Sequence, residues 1–150
     1  MSDLDIRPAV LDDIPAIVAM LADDPLGAQR ESPGDLAPYT AAFERLSQDP
    51  NQIQAVAVRA DQVVGTLQLT IIPGLARRGS TRSIIEGVRI HADERGAGLG
   101  TRLIEWAIDE SRRQKCQLVQ LTSDVSRTDA RRFYERLGFK ASHVGFKLLL

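Results

Sequence analysis

The sequence is short of the features that most often announce a function. It holds one cysteine, Cys116, in 150 residues, so it can form no internal disulfide and offers no thiol pair for zinc. Its histidines, His91 and His143, lie far apart and show no metal-ligand spacing, so no metal is expected. No apolar run approaches the roughly 20 residues that cross a bilayer. The start, Met1-Ser2-Asp3-Leu4-Asp5, lacks the basic and apolar stretches of a signal peptide. Neither sign of charge is in excess: 19 Lys and Arg against 20 Asp and Glu leave a formal net charge of −1. That balance excludes a broad electrostatic grip on DNA or RNA. Internal repeats and low-complexity tracts are missing too. These absences predict a soluble, cytoplasmic protein with no nucleic-acid or membrane partner, whose chemistry sits in small motifs.

What is present suits one globular domain spanning 1–150. Hydrophobic residues make up 43% and charged residues 26%, ordinary values for a folded chain of this size. Residues 4–7 read as a first strand, ended by Pro8. Leu11, Ile14, Ile17, Val18 and Leu21 then recur at helical spacing, with Asp12 and Asp13 at the positive end of the helix. Residues 23–35 carry two prolines and two glycines and read as a loop. A second helix is expected over about 36–46. Runs 53–59 and 63–72 form a hairpin around Ala60-Asp61-Gln62, and 74–80 is a further turn. The strand 81–90 places Ile84, Glu86, Val88 and Ile90 on one parity, hence on one face. Helical periodicity returns from Leu99 to near Lys115. Residues 118–122 follow as a strand, 128–137 as a helix stopped by Gly138, and a final strand pair begins at Phe139, with 144–150 last. The order predicts an α/β architecture: a mixed sheet with helices on both faces.

The stretch with chemical content is Val88-Arg89-Ile90-His91-Ala92-Asp93-Glu94-Arg95-Gly96-Ala97-Gly98-Leu99-Gly100-Thr101. It runs from strand through a glycine-rich loop into a helix. A helix start offers unpaired N–H groups and the positive end of a dipole, which suit an anion. Glycines at 96, 98 and 100 let a phosphate approach the backbone, and Arg95 supplies a planar donor group. The spacing fits neither the dinucleotide fingerprint nor the P-loop; it is Arg-x-x-Gly-x-Gly.

That hexad, Arg95-Gly96-Ala97-Gly98-Leu99-Gly100, resembles the pyrophosphate loop of the GNAT superfamily of N-acetyltransferases. A second block, Ala130-Arg131-Arg132-Phe133-Tyr134-Glu135-Arg136-Leu137-Gly138-Phe139, is similar to that family's Ala-x-x-x-Tyr-x-x-x-Gly-Phe element. The likeness covers nearly the whole chain and is firmest over 86–139. It implies a GNAT-like fold, with the central sheet splayed at the cofactor strand, and an acetyl-CoA-dependent transfer of an acetyl group to an amine. Carried over residue by residue, it assigns the pyrophosphate to Arg95, Gly96, Ala97, Gly98, Leu99, Gly100 and Thr101. The pantetheine arm falls to the backbone of Val88, Arg89 and Ile90, which would bind it as an added strand. Arg132 and Phe133 lie near the cofactor. Tyr134 protonates the departing thiolate, and Glu86 is the candidate base for the amine.

The same residues have plainer readings. Tyr134 also suits a rim position in the core, Glu86 a solvated strand face, and Cys116 a structural thiol. One departure stands out: Arg127 occupies the place where many family members carry an asparagine that helps hold pantetheine. With that departure, a CoA-binding sensor or partner module without catalysis is the alternative to an enzyme. Asp23, Asp24 and Glu31 in the loop after the first helix are candidates to attract a cationic amine. The apolar end, Phe146-Lys147-Leu148-Leu149-Leu150, predicts burial in the sheet or a homodimer through the C-terminal strand.

Overall fold

The computed structural model describes residues 3–150. Five strands form one sheet in sequence order: β1 (Leu4–Pro8), β2 (Gln52–Arg59), β3 (Gln62–Ile72), β4 (Arg82–Ile90) and β5 (Leu118–Leu121). Neighbours from β1 to β4 are antiparallel, and β5 lies parallel to β4. Two helices precede β2: α1 (Ile14–Ala22) and α3 (Ala37–Gln48), with the short α2 (Gly27–Arg30) inside the expected loop. A brief turn, α4 (Ala76–Gly79), links β3 to β4. The crossover from β4 to β5 is α5 (Leu99–Arg113), and α6 (Thr128–Arg136) follows β5.

Strand alternation distributes two cores. Ala55, Leu67, Leu69 and Ile85 point to one face and pack against Leu99, Leu103, Ile104 and Ala107 of α5. On the other face, Val56 meets Ile14, Ile17 and Val18 of α1, with Tyr39 and Phe43 of α3 alongside. Helices thus cover both faces of a mixed sheet, as expected. Each fully buried leucine or isoleucine contributes about 1.5–3 kcal/mol on leaving water. Two buried hydroxyls tie α5 to β4: Ser111 donates to the Ala107 carbonyl at 2.7 Å, leaving Ser83 to donate to Ser111 Oγ at 2.7 Å. The helix stops where Lys115 turns left-handed, at φ 62°.

Two expectations need correction. The strand 81–90 does not keep one parity. Thr66 pairs with Arg89 and Gln68 with Glu86, so β4 spends one residue more than β3 between these pairs. This is a β-bulge, made at Gly87, whose φ of 60° favours glycine. Glu86 and Ile84 therefore share the α1 face with Arg89, while Val88 and Ile90 pack towards the α5 core. The second correction concerns the end of the chain. The expected strand pair from Phe139 onwards is not formed, and Val144, Phe146, Leu148, Leu149 and Leu150 are all exposed. The segment therefore does not enter the sheet of its own chain. The last three residues are all leucine, so the pattern lacks the alternation that would dictate a strand with one buried face.

Candidate active site

β4 outruns its parallel neighbour. Only Arg82, Ser83, Ile84 and Ile85 pair with β5, opposite Leu118, Val119, Gln120 and Leu121. From Glu86 to Ile90 the β5-facing edge of β4 has no strand beside it among the described residues. Pairing with β5 therefore ends just before the bulge, leaving this half of β4 without a strand partner on that side, and the polar loop and α5 begin where β4 ends.

The loop is held from several sides. His91 N–H donates to the Val64 carbonyl at 2.8 Å. Glu94 pairs with Arg59 of β2 at 2.7 Å, and Arg95 Nε donates to the Ile90 carbonyl at 3.3 Å. Arg95 also lies 3.7 Å from Asp23, with its side chain still 54% exposed. Gly96 and Gly98 adopt φ values of 83° and 81°, and a Cβ built on either would meet no atom within 4 Å. Open space thus lies over both glycines, directly before the free amides at the start of α5. Gly100 differs: its missing Cβ lets Phe133 approach, the ring atom Cζ lying 3.4 Å from where a Cβ would stand. The cradle fits a pyrophosphate, with Arg95 at its rim. Leu99 contributes only its backbone, since its side chain is part of the core, and Thr101 is half-buried on the first turn.

Phe133 and Tyr134 of α6 stand at the same end of the sheet. Their rings meet edge to face at 5.1 Å, and Tyr134 meets Phe139 at 5.9 Å, geometries that aromatic quadrupoles favour. Burial pushes the Tyr134 phenol above its ordinary pKa, although Arg127 and Arg89 pull it back. The group is therefore a neutral proton donor at neutral pH. Arg132 projects into solvent beside it, and Glu86 is exposed on the α1 face of β4. Burial likewise raises the Cys116 thiol, which disfavours a thiolate nucleophile.

Of the acidic residues expected to attract an amine, Asp23 is exposed, with only a 3.7 Å contact to Arg95, whereas Glu31 and Asp24 are engaged within the protein. Glu31 accepts the Tyr39 hydroxyl at 2.9 Å. Asp24 accepts the Gly27 amide at 2.6 Å and lies 3.0 Å from Arg89 and 3.3 Å from Arg127. Burial raises the Asp24 pKa, but the Gly27 amide and the two arginines outweigh it and hold the carboxyl below its ordinary value. Reading the sequence assigned Arg89 by its backbone alone and missed this side-chain cluster. Its one visible signal was Arg127, standing where asparagine is usual.

The comparisons agree with this geometry. The model of the Acetyltransferase (GNAT) family matches residues 15–139. An aminoalkylphosphonate N-acetyltransferase of Salmonella typhimurium is 29% identical over 142 residues, covering 95% of this chain and 88% of the relative. A glucosamine 6-phosphate N-acetyltransferase of Trypanosoma brucei brucei is 39% identical over 87 residues, covering 58% of this chain and 57% of the relative. Among solved structures, one described as a transcriptional regulator from Bacillus halodurans C-125 superposes with a TM-score of 0.95 at 45% identity, covering 99% of this chain and 100% of that one. Strand order, the unpaired edge of β4, the glycine-opened helix start and these matches lead to one assignment: the chain belongs to the GNAT family of acetyltransferases.

Proposed function

We propose that this protein is an acetyl-CoA-dependent N-acetyltransferase that moves an acetyl group directly to the primary amine of a small acceptor. The observation that carries the reading is the unpaired half of β4, which runs into a helix start kept open by Gly96 and Gly98. The family generally uses acetyl-CoA, and this site fits its shape. Arg95 and the amides from Gly96 through Thr101 would hold the pyrophosphate. The backbone of Val88, Arg89 and Ile90 would receive the pantetheine arm as an added strand, with Phe133 and Arg132 beside it. When bound, acetyl-CoA supplies an acetyl group activated as a thioester.

The chain's own residues then manage protons and charge. A backbone N–H of the strand 88–90 polarises the carbonyl that the amine attacks. Glu86 accepts, directly or through water, the proton that an attacking amine must lose. Tyr134 donates its phenolic proton to the departing sulfur and is reprotonated from solvent. One C–S bond breaks and one C–N bond forms, so no acyl-enzyme and no metal are required. The two named relatives act on small amines that carry a phosphorus oxyanion, which supports a small acceptor of that kind. The reaction is tested by following free CoA while acetyl-CoA and a panel of amines are mixed with the protein.

A second reading has one observation in its favour. The Bacillus halodurans structure, at 45% identity, is described as a transcriptional regulator, which suits a CoA-binding sensor or partner module. Measured CoA binding with no acetylation of any amine would select it.

The exposed end of the chain supports a homodimer. Residues 144–150 present Val144, Phe146 and Leu148 to solvent, and the free edge of β5 lies at the border of the sheet. A second copy that laid this segment along that edge would bury both. Light scattering on the full chain, and on a chain ending at residue 143, tests the assembly. Among the described residues no helix is long and apolar enough to cross a membrane, in keeping with work in the cytoplasm.

A further inference from the structure

The α1 face of β4 carries a charged cluster that the transfer chemistry leaves unused. Arg89 comes from β4, Arg127 from the residue before α6, and Asp24 from the loop after α1. Asp24 Oδ2 lies 3.0 Å from Arg89 Nε and accepts from Arg127 Nη2 at 3.3 Å. Its other oxygen takes the Gly27 amide. One carboxylate thus faces two guanidiniums and spends half its capacity on the backbone. Arg89 Nε is buried yet has no acceptor in hydrogen-bond geometry. Of the other nearby acids, Glu31 is engaged by Tyr39 and Asp124 by Ser126, and Arg30 adds a further positive charge to the field at Arg89. Arg89 and Arg127 thus share a single carboxylate, and both lie close enough to Tyr134 to act on its phenol.

Resting on the transfer reading above, we propose that Arg89 and Arg127 form the acceptor's anion subsite. They hold an oxyanion, a phosphonate, phosphate or carboxylate, at one end of a short amine whose other end faces Glu86 and Tyr134. The register supports this span. Arg89 and Glu86 sit opposite Thr66 and Gln68 on one face of the sheet, and residues two apart on a strand are about 7 Å apart. A two- or three-carbon aminoalkyl acid bridges such a separation. Two guanidinium forks suit an oxyanion better than the single carboxylate they now share. Asp24 holds both forks in place while the subsite is empty, and the incoming anion competes with it.

The test compares acceptors that differ in the anion: O-phosphoethanolamine, 3-aminopropylphosphonate and β-alanine against uncharged propylamine. The wild-type protein should favour the anionic amines by about tenfold or more in kcat/KM. Arg127→Gln and Arg89→Gln should each lower that preference about ten- to a hundredfold, and in Arg127→Gln the loss should fall on the acceptor KM. Arg127→Lys should restore part of it, which shows that charge and not folding is at issue. Either order among phosphoryl and carboxylate acceptors supports the subsite and names its anion. Equal use of charged and uncharged amines, or an Arg127→Gln defect in acetyl-CoA KM alone, overturns it. Turnover of no amine is a separate failure, of the transfer reading. In that case calorimetric binding of O-phosphoethanolamine, lost in Arg127→Gln, still upholds the subsite, and no binding by the wild type overturns it.

Discussion

Gly27 and Leu21 approach so closely that a methyl group on Gly27 would stand 1.8 Å from the Leu21 carbonyl oxygen. The chain can turn back onto the end of α1 here only because residue 27 has no side chain. The turn delivers the Gly27 amide to Asp24, and Asp24 in turn orders Arg89 and Arg127. Gly27→Ala must therefore move backbone. It should cost about 1–3 kcal/mol of stability, read as a fall in Tm of about 2–4 °C per kcal/mol. It should also raise the acceptor KM more than the acetyl-CoA KM. A variant with unchanged melting and kinetics would show that the turn is easily remade.

Tyr134 is argued to be the acid that meets the departing thiolate. Tyr134→Phe keeps the ring and its contacts with Phe133 and Phe139 but removes the proton. Turnover should fall by about 10²-fold or more, while acetyl-CoA affinity measured by calorimetry stays close to wild type. An equal loss of both would make the residue a packing group. Because burial raises the phenol's pKa, the proton stays in place throughout the neutral range. Wild-type kcat should decline only above the ordinary tyrosine value of about 10, and the variant should lack that alkaline limb.

Gly98 tests the cradle separately from the chemistry. Its φ of 81° and the empty space above it mean that Gly98→Ala puts a methyl group where the pyrophosphate is argued to lie. The left-handed backbone adds about 1–2 kcal/mol of strain. Binding of CoA should weaken clearly more than the melting temperature predicts. Unaltered CoA affinity would move the pyrophosphate elsewhere.

Acid should loosen the entry to α1. The two hydrogen bonds from Arg7 to Asp13, at 2.7 and 3.2 Å, lower the Asp13 pKa against the opposing effect of burial, and the Val10 amide lowers it further. A carboxyl depressed in the folded state stabilises above its unfolded pKa, about 3.9. That contribution is lost as pH falls through the folded value. Arg7→Gln should therefore move the acid-unfolding midpoint to higher pH and lower the stability at neutral pH. An unchanged midpoint would contradict the assignment.

The parts of this protein that follow local rules were readable from its sequence. Leu103 and Ala107 recur at the helical step, and 53–59 and 63–72 are β-rich runs on either side of a short turn, so each signal is local to one element or one hairpin. The bulge at Gly87 escaped, since a glycine inside a strand is compatible with both straight and bulged pairing until the partner's register is known. That slip misplaced Arg89 and with it the charged face of β4. The Asp24–Arg127 pair, 103 positions apart, was invisible for a related reason: no local period links residues that only tertiary packing brings together. At the chain's end, apolar content was read as a strand, although Leu148, Leu149 and Leu150 lack the alternation that dictates one buried face.

The most direct test of the account measures free CoA and acetylated amine together, from acetyl-CoA and O-phosphoethanolamine or another amine in the panel. Equal amounts of the two products should form, in proportion to enzyme, and both should fall sharply in Tyr134→Phe. Acetyl-CoA that binds tightly at the glycine loop but yields no acetylated product with any amine would contradict it.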